Sequence, residues 1–355
     1  MIDVTTLTDG GQRAEDIAAR LVAFVDGAQE TLDLALYSVR LAGPVGDHVA
    51  GALRAAHERG VAVRLLYNVD EMRRVPIPPP PQTRPELLEA LPIQTRGIGG
   101  IPDLMHHKYI VRDGADVWSG STNWSLDSWQ REENVLVTVD SAAVAAEFGV
   151  NFTELWGEAE SRRSVVVERS GRGDPDPKRV GDAEVRVWFS PGHGPALSHR
   201  IAKAIGEART RVRVASPVIT SGPIIGTLAE VIADERVDVA GVVDATQVRQ
   251  VFGQWRENPR STWKIPLLER ILAGDVFTGK RSTPWSPDSV HDFMHAKVTI
   301  ADDTVFVGSF NLSHSGERNA ENVLEIADPG VAAELAAFID GVRARYEPLD
   351  AGATP

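Results

Sequence analysis

The sequence predicts an α/β protein with two similar β-sheet domains, each flanked by helices. Three observations support this prediction: the chain length, an alternation of strand and helix patterns in each half, and a block of polar residues that occurs twice. A chain of 355 residues is longer than a single hydrophobic core usually supports. Strands that alternate with helices form a sheet with helices packed against it.

In the first half, Gln29 to Tyr37 alternate between apolar and polar side chains, which predicts a strand. Gly46 to Arg59 place apolar residues on one helical face, and Gly60 is a typical helix stop. Val61 to Tyr67 predict a second strand.

The second half repeats this order. Arg200 to Ala208 predict a helix and Val212 to Ala215 a strand. Ile225 to Asp234 predict the next helix, and Val237 to Val243 the following strand.

Each half then carries one copy of the polar block. The copies run from His106 to Ser125 and from His295 to Ser313. A Glu-Asn pair follows each, Glu133-Asn134 and Glu321-Asn322, and its glutamate lies ten positions after the block's last asparagine. Self-similarity over this distance indicates an internal repeat.

The segment between the halves, 169–182, is rich in glycine, proline and charge, which is typical of an exposed linker. We therefore predict a first domain over 1–168 and a second over 183–355. Two long connections lead into the polar blocks, Val75 to Pro85 and Gln247 to Pro287. Long connections inside a domain are often functional, so both are candidate pocket walls. The tryptophans of the second connection could line an acyl pocket or fill a core; they are Trp255, Trp263 and Trp285.

Composition limits the function classes. The formal net charge of −13 argues against broad, sequence-independent DNA binding, although a local basic cleft stays compatible with it. The chain has no cysteine, which excludes disulfides, thiolate nucleophiles and cysteine-bound zinc. No apolar run reaches the roughly 20 residues of a membrane span. No secretory signal is visible at the N-terminus, so we expect a cytoplasmic protein, or a secreted one if a signal peptide was removed.

The polar blocks bring reactive groups to neighbouring strand ends. His106 and Lys108 are two residues apart and share one face of a predicted strand, Met105 to Arg112. His295 and Lys297 do the same in Met294 to Ile300. The following strands each end in Ser-x-Asn, with Ser121 and Asn123 in the first copy and Ser309 and Asn311 in the second.

This set of groups suits phosphate-ester chemistry. Two lysines and two asparagines can stabilise charge on the phosphate oxygens without a metal ion. One histidine can attack phosphorus while the other protonates the leaving oxygen. A carboxylate on the far ring nitrogen would fix the tautomer and stabilise the imidazolium, and Glu133 and Glu321 are the candidates. No ligand spacing for a metal site is apparent, and no cofactor is expected.

The two blocks resemble the H-x-K-x4-D-x6-G-S-x-N signature of the phospholipase D superfamily. The resemblance covers nearly the whole chain, and the second copy has one residue fewer between its aspartate and its glycine. The first copy contains His106, Lys108, Asp113, Gly120, Ser121 and Asn123. The second contains His295, Lys297, Asp302, Gly308, Ser309 and Asn311.

The resemblance implies that the halves pack about a pseudo-twofold axis, with both motifs in one cleft. It also implies a phosphohistidine intermediate, with His106 as nucleophile and His295 as acid and later base. Asp113 and Asp302 would be structural. The implied activity is metal-independent phosphodiester hydrolysis or transfer, with a phospholipid or small phosphodiester as substrate.

Alternatives stay open at this level. A nuclease could use the same two histidines, although no basic stripe with stacking aromatics is visible. A phosphate-binding module without turnover is disfavoured, since both His-Lys pairs are intact. Transient contact with a membrane surface is possible, and no obligate protein partner is implied. Among further histidines, His107 points away from the site, whereas His193, His291, His314 and the nearby Arg318 are weaker candidates for substrate contact.

Overall fold

The fold consists of two mixed β-sheets with helices on both faces. A computed structural model describes residues 1–69, 83, 88–99, 104–161, 174–284, 286 and 289–349. Within these residues, no helix is long and apolar enough to cross a bilayer.

In the part of the chain that the structure describes, the first sheet has seven strands in the order β1-β7-β6-β5-β2-β3-β4. Its strands are β1 (Ile2–Leu7), β2 (Thr31–Leu36), β3 (Ala62–Val69), β4 (Gln94–Gly99), β5 (Lys108–Arg112), β6 (Asp116–Gly120) and β7 (Asn134–Asp140). Within the described residues, the helices of this half include α1 (Ala14–Asp26), α2 (Gly43–Glu58), α3 (Leu126–Gln130) and α4 (Ala142–Ser161). β2, β3 and β4 are parallel, whereas β5 pairs with β2 in antiparallel orientation.

The second sheet, counted over the described residues, has eight strands in the order β12-β11-β10-β13-β14-β15-β9-β8. They are β8 (Lys178–Val180), β9 (Ala183–Ser190), β10 (Arg211–Ser216), β11 (Asp238–Asp244), β12 (Phe277–Lys280), β13 (Val298–Ala301), β14 (Thr304–Gly308) and β15 (Glu321–Ala327). The helices are α5 (Gly194–Glu207), α6 (Gly222–Asp234), α7 (Ala245–Glu257), α8 (Ile265–Leu272), α9 (His314–Arg318) and α10 (Pro329–Arg343), with a 3-10 helix at Thr262–Lys264.

Apart from β8, the two sheets have the same strand order when one of them is read in reverse. In this match β1 corresponds to β9, β2 to β10, and so on to β7 and β15. The prediction of a repeated α/β fold is confirmed. The repeat begins with a strand and a helix in each half, β1-α1 and β9-α5. The later strands, β5 to β7 and β13 to β15, match in the same way.

The apolar core has three parts, as expected for sheets buried on both faces. Outer clusters lie beneath α1 and α2 in the first half and beneath α5 to α8 in the second. A central cluster joins the inner faces of both sheets with α4 and α10. The halves therefore share one core, which fixes the strand ends of one sheet against those of the other.

The structure differs from the predicted linker, 169–182, at its C-terminal end. Lys178–Val180 forms β8 and pairs with β9 in antiparallel orientation. Val180 is 6% exposed and belongs to the central core. The charged residues around Val180 gave no sequence pattern that would predict this strand. The predicted pocket wall Val75 to Pro85 lies outside the described residues except for Thr83, and so does Trp285.

Reciprocal contacts relate the halves by a pseudo-twofold axis. The amide of His106 donates to the carbonyl of Ala320 (2.8 Å), and the amide of His295 donates to the carbonyl of Glu133 (3.1 Å). Met105 bridges to Ala320 as Met294 bridges to Glu133. Each motif therefore enters the site hydrogen-bonded to the opposite half.

Candidate active site

The two His-x-Lys motifs form one buried cluster. His106, Lys108 and Lys297 are 6%, 3% and 4% exposed, and His295 is partly buried. Each lysine ammonium donates 2.7 Å to the carbonyl of the histidine two residues before it. Charge interactions link each histidine to both lysines, so the four groups act on one another across the halves.

Burial is the main influence on these groups. It lowers the pKa of His106 and His295 well below the ordinary value, and the positive charges of Lys108 and Lys297 lower both further. Burial also lowers the pKa of both lysines. The cluster holds positive charge at a cost in solvation, and a phosphodiester anion would offset this cost.

The two motif glycines permit the close approach of strands that builds the site. A Cβ on Gly120 would lie 2.1 Å from the carbonyl oxygen of Val135, and one on Gly308 would lie 2.1 Å from that of Asn322. Gly120 also has a φ of 146°, which L side chains rarely adopt.

The motif aspartates stabilise turns away from the histidines. Asp113 accepts from the amides of Gln29, Glu30 and Thr31, and Asp302 from those of Arg209, Thr210 and Arg211. Both residues have a φ of 52°. Burial would raise the pKa of Asp302, but the hydroxyl of Thr210 and the three amides outweigh it and lower the pKa to about 2. Both aspartates therefore accept hydrogen bonds from a turn within their own half.

His106 has a direct carboxylate partner from the other half. Its Nδ1 lies 2.8 Å from Oε2 of Glu321, which is 1% exposed. Burial raises the pKa of Glu321 to about 7. Asn319 Nδ2 donates to the other oxygen, Oε1, at 3.1 Å. The predicted pairing of Glu321 with a motif histidine is therefore present.

His295 has a different partner. Its Nδ1 lies 3.2 Å from Oδ1 of Asn134, and 3.4 Å from Oε2 of Glu132. Asn134 Nδ2 also donates to Glu132 Oε2 at 3.0 Å. Burial raises the pKa of Glu132. The prediction that Glu133 holds this histidine is wrong, because the side chain of Glu133 points away from it.

The hydrogen-bond register explains the error. The amide of Ser121 donates to the carbonyl of Val135, whereas the amide of Ser309 donates to that of Asn322. Asn134 is thus the counterpart of Glu321, and Glu132 the counterpart of Asn319. Glutamate and asparagine have exchanged places between the two sites, because the first half has one extra residue between the block and its strand.

The two motif serines support these partners from beneath. Ser121 and Ser309 are fully buried. Ser121 Oγ donates 2.7 Å to Asn134 Oδ1, and the Ser309 hydroxyl lowers the pKa of Glu321 against the effect of burial. The hydroxyls, proposed from sequence as phosphate-site support, thus contact the residues that hold the histidines.

Glu133 belongs to a buried ionic network beside the site. Lys280 Nζ donates 2.9 Å to Glu133 Oε2 and lies 3.2 Å from Oδ2 of Asp9. Tyr346 Oη donates to the other carboxylate oxygen of Glu133. Glu133 is fully buried and Lys280 is 3% exposed. The network joins the residues after β1 and before β7 to β12 and the segment after α10, directly behind the backbone that binds His295.

A pocket of about 310 Å³ opens above the histidines. Asn123 and Asn311 border it, and within the described residues their Oδ1 atoms have no hydrogen-bond partner. Among the described residues, the other lining groups are uncharged apart from Glu132 and the histidines. They include Leu104, Pro217, Val218, Thr246, Gln247, Gln250 and Phe293.

The remaining histidines separate by position. His291 borders the pocket and stacks on Phe293, with 5.7 Å between ring centroids. His107 is fully buried, contacts Asn322 and packs against Tyr109, in line with the structural role predicted for it. His193 begins α5 against Trp188, and the side chain of His314 is 71% exposed.

Besides Asn134 and Asn319, other contributors to the site were missed from sequence. Glu132 is flanked by charged residues, and only the strand register identifies it. Tyr37, at the end of β2, packs its ring edge against His106 at 4.6 Å, and Lys280 follows an apolar strand without any motif. Within the described ranges, no group of three or more His, Asp or Glu side chains is arranged to hold a metal ion.

Both halves of the chain match the same known protein family. A family model described as "Cardiolipin synthase, PLD-like domain" matches residues 21–156 and 201–342. Mitochondrial cardiolipin hydrolase of Xenopus laevis is 33% identical over 141 residues, which cover 39% of this chain and 61% of the relative. The chain thus spans less than two thirds of that relative's length.

Solved structures match over both halves. Phosphatidylserine synthase from Haemophilus influenzae Rd KW20 aligns with a TM-score of 0.63 and 13% identity, covering 97% of this chain and 86% of that chain. Polyphosphate kinase from Porphyromonas gingivalis aligns with a TM-score of 0.59 and 12% identity, covering 96% and 46%. At these identities the likeness shows the fold alone.

Proposed function

Since this chain belongs to the family of cardiolipin synthase, PLD-like domains, we propose that it hydrolyses or transfers phospholipid phosphodiesters through a phosphohistidine intermediate. The observation that carries the proposal is the pair of motif histidines held from opposite halves in one pocket, His106 by Glu321 and His295 by Asn134 and Glu132.

In the first step, His106 Nε2 attacks phosphorus and the bond from phosphorus to the leaving oxygen breaks. Nδ1 is held by Glu321, which leaves Nε2 to react and stabilises the positive charge that forms on the ring. His295 gives its proton to the leaving oxygen. Lys108 and Lys297 stabilise the negative phosphate oxygens throughout.

In the second step, His295 takes a proton from water or an alcohol. The resulting oxygen nucleophile attacks phosphorus, and the bond from phosphorus to His106 breaks. His295 suits this exchange because its closest partner at Nδ1 is a neutral amide, with the carboxylate of Glu132 slightly farther away. A proton can then leave and return more readily than from a ring held by a direct carboxylate.

The choice of phospholipid is supported by the pocket and by the relatives. Leu104, Pro217, Val218 and Phe293 give the pocket an apolar side, and its other lining groups are mostly neutral amides and hydroxyls. A nucleic-acid groove would present lysine and arginine along the phosphate path. The relative from Xenopus laevis is named for cardiolipin hydrolysis.

The test is turnover of phosphatidylcholine, phosphatidylglycerol and cardiolipin beside single- and double-stranded DNA, all in EDTA. Wild type is compared with His106→Ala and His295→Ala, with His314→Ala as an exposed-histidine control. We expect lipid cleavage lost in both motif variants, kept in the control, and diverted to a phosphatidyl product by ethanol. DNA cleavage with the same dependence would overturn the substrate, and loss of all activity in EDTA would overturn the mechanism.

A further inference from the structure

The connection from Ala245 to Leu272 differs in charge from the rest of the protein. It contains five basic and two acidic side chains, a formal charge of +3, whereas the whole chain carries −13. The basic residues are Arg249, Arg256, Arg260, Lys264 and Arg270. No ion pair to Arg249, Arg260 or Arg270 is present within the described residues.

Trp263 is exposed at the tip of this connection. It is 53% exposed, whereas Trp255 on the preceding helix is 7% exposed and belongs to the core. Among large hydrophobic side chains exposed in the part of the chain that the structure describes, Trp263 is the only aromatic one. Its ring has the ammonium of Lys264 at 5.6 Å. An exposed tryptophan among cations is typical of a protein surface that enters a lipid headgroup layer.

The same connection borders the pocket. Thr246, Gln247 and Gln250 of α7 line it, and Arg249 lies between two of them. At the other end, Lys264 Nζ donates 2.7 Å to the carbonyl of Thr220.

The amide of Thr220 in turn donates to the carbonyl of Leu312, between the pocket residues Asn311 and Ser313. A second exposed side chain, Val290 (41% exposed), directly precedes the pocket residue His291. The connection is therefore joined to the pocket wall at two places, through α7 and through Lys264.

We propose that Ala245–Leu272 is a docking surface for an anionic phospholipid bilayer, with Trp263 as its anchor and its arginines as headgroup contacts. The charge of the connection complements an anionic surface that the rest of the chain would repel. This inference rests on the proposed function for the identity of the substrate, but binding can be measured without turnover. Docking here would place a lipid phosphate at the pocket entrance.

The experiment is sedimentation of the 355-residue protein with vesicles of phosphatidylcholine alone or with 30 mol% phosphatidylglycerol. We expect binding to the anionic vesicles and its loss at high salt. Trp263→Ala and the pair Arg249→Gln with Arg260→Gln should each weaken it about tenfold or more. Matched controls are Val150→Ala and the pair Arg54→Gln with Arg179→Gln, which change an exposed hydrophobic or the same net charge elsewhere and should bind as wild type.

Circular dichroism confirms that each variant is folded, and a soluble nitrophenyl phosphodiester reports on the site itself. Unchanged vesicle binding by the variants, or equal binding to uncharged vesicles, overturns the docking surface. Tighter binding of single-stranded DNA that depends on the same residues reassigns the surface to nucleic acid. If vesicles bind as expected but no lipid is cleaved, the docking surface stands and the proposed function fails.

Discussion

Glu321 Oε2 lies 2.8 Å from His106 Nδ1, and the two residues come from opposite halves of the chain. The matching position at His295 is filled by an amide, Asn134, with Glu132 as the nearest carboxylate. Since a covalently phosphorylated imidazole carries positive charge, a direct carboxylate favours the nucleophile. The site is therefore asymmetric even though the folds of its halves are alike.

Replacing Glu321 with glutamine should remove this stabilisation and reduce formation of the phosphohistidine by a hundredfold or more. The measurement is single-turnover labelling of the protein with radioactive phosphate from the substrate. Because attack itself is impaired, a good leaving group such as nitrophenol should not restore the rate. Labelling at the wild-type rate would contradict the assignment of His106.

Glu132→Gln should impair catalysis, whereas Glu133→Gln should impair stability, although the two residues are adjacent. Glu132 is near His295, so its loss should lower kcat at least tenfold for lipids with poor leaving groups. The loss should be much smaller with a nitrophenyl ester, which needs no proton. Glu133→Gln should lower the melting temperature. At temperatures where this variant is folded, its kcat should stay near the wild-type value. Reversed effects would restore Glu133 as the partner of the histidine.

Lys280→Met should destabilise the fold by about 3–5 kcal/mol, because it leaves the buried Glu133 carboxylate without its cation. Adding Glu133→Gln should recover part of this loss, since the uncompensated charge disappears. Urea unfolding of the single and double variants measures both effects. Lys178→Met, at the partly exposed pair with Glu147, is the control and should cost about 1 kcal/mol or less. No recovery in the double variant would contradict the ionic pairing.

The pH profile should reflect the lowered histidine pKa values. His106 must be neutral to attack, and its pKa lies well below 6.5 because of burial and the nearby lysines. As pH falls, kcat/KM should hold through 6.5 and fall only below it, with a midpoint that belongs to the coupled site. The profile is measured in EDTA with the soluble ester. A midpoint at or above 6.5 would contradict the lowering of the His106 pKa by burial and the lysines.

Asp302→Asn tests the turn that precedes β14. A carboxyl whose pKa is lowered to about 2 in the fold stabilises it above the ordinary pKa of 3.8, and this contribution disappears as pH falls through 2. We expect a loss of about 1 kcal/mol at pH 7, allowing for solvent screening, that shrinks toward pH 2. Asp303→Asn, at a side chain 67% exposed, is the neighbouring control for urea unfolding at both pH values.

Sequence alone predicted the repeated fold and the His-Lys pairs, because both depend on local spacing along a strand. The structural role of the motif aspartates was implied only by the family resemblance, since their partners lie far away in the chain. The prediction failed at Glu133. The residues Glu-Asn-Val-Leu occur in both halves and suggest that Glu133 is equivalent to Glu321, but the hydrogen-bond register makes Asn134 the counterpart of Glu321. The extra residue lies in the turn after α3, and a turn leaves no periodic signal. The contacts of Lys280 and Tyr37 join distant parts of the chain, so no local pattern could reveal them.

The exchange of glutamate and asparagine makes the halves complementary rather than redundant. In a dimer of two first halves with the same geometry, each His106 would face Asn134 of the other copy. In a dimer of two second halves, each His295 would face Glu321 of the other copy. Either assembly would contain two histidines of one kind, whereas the single chain provides one of each. Covalent fusion of the halves thus guarantees that a nucleophile always meets its proton donor, which random pairing of separate halves would not.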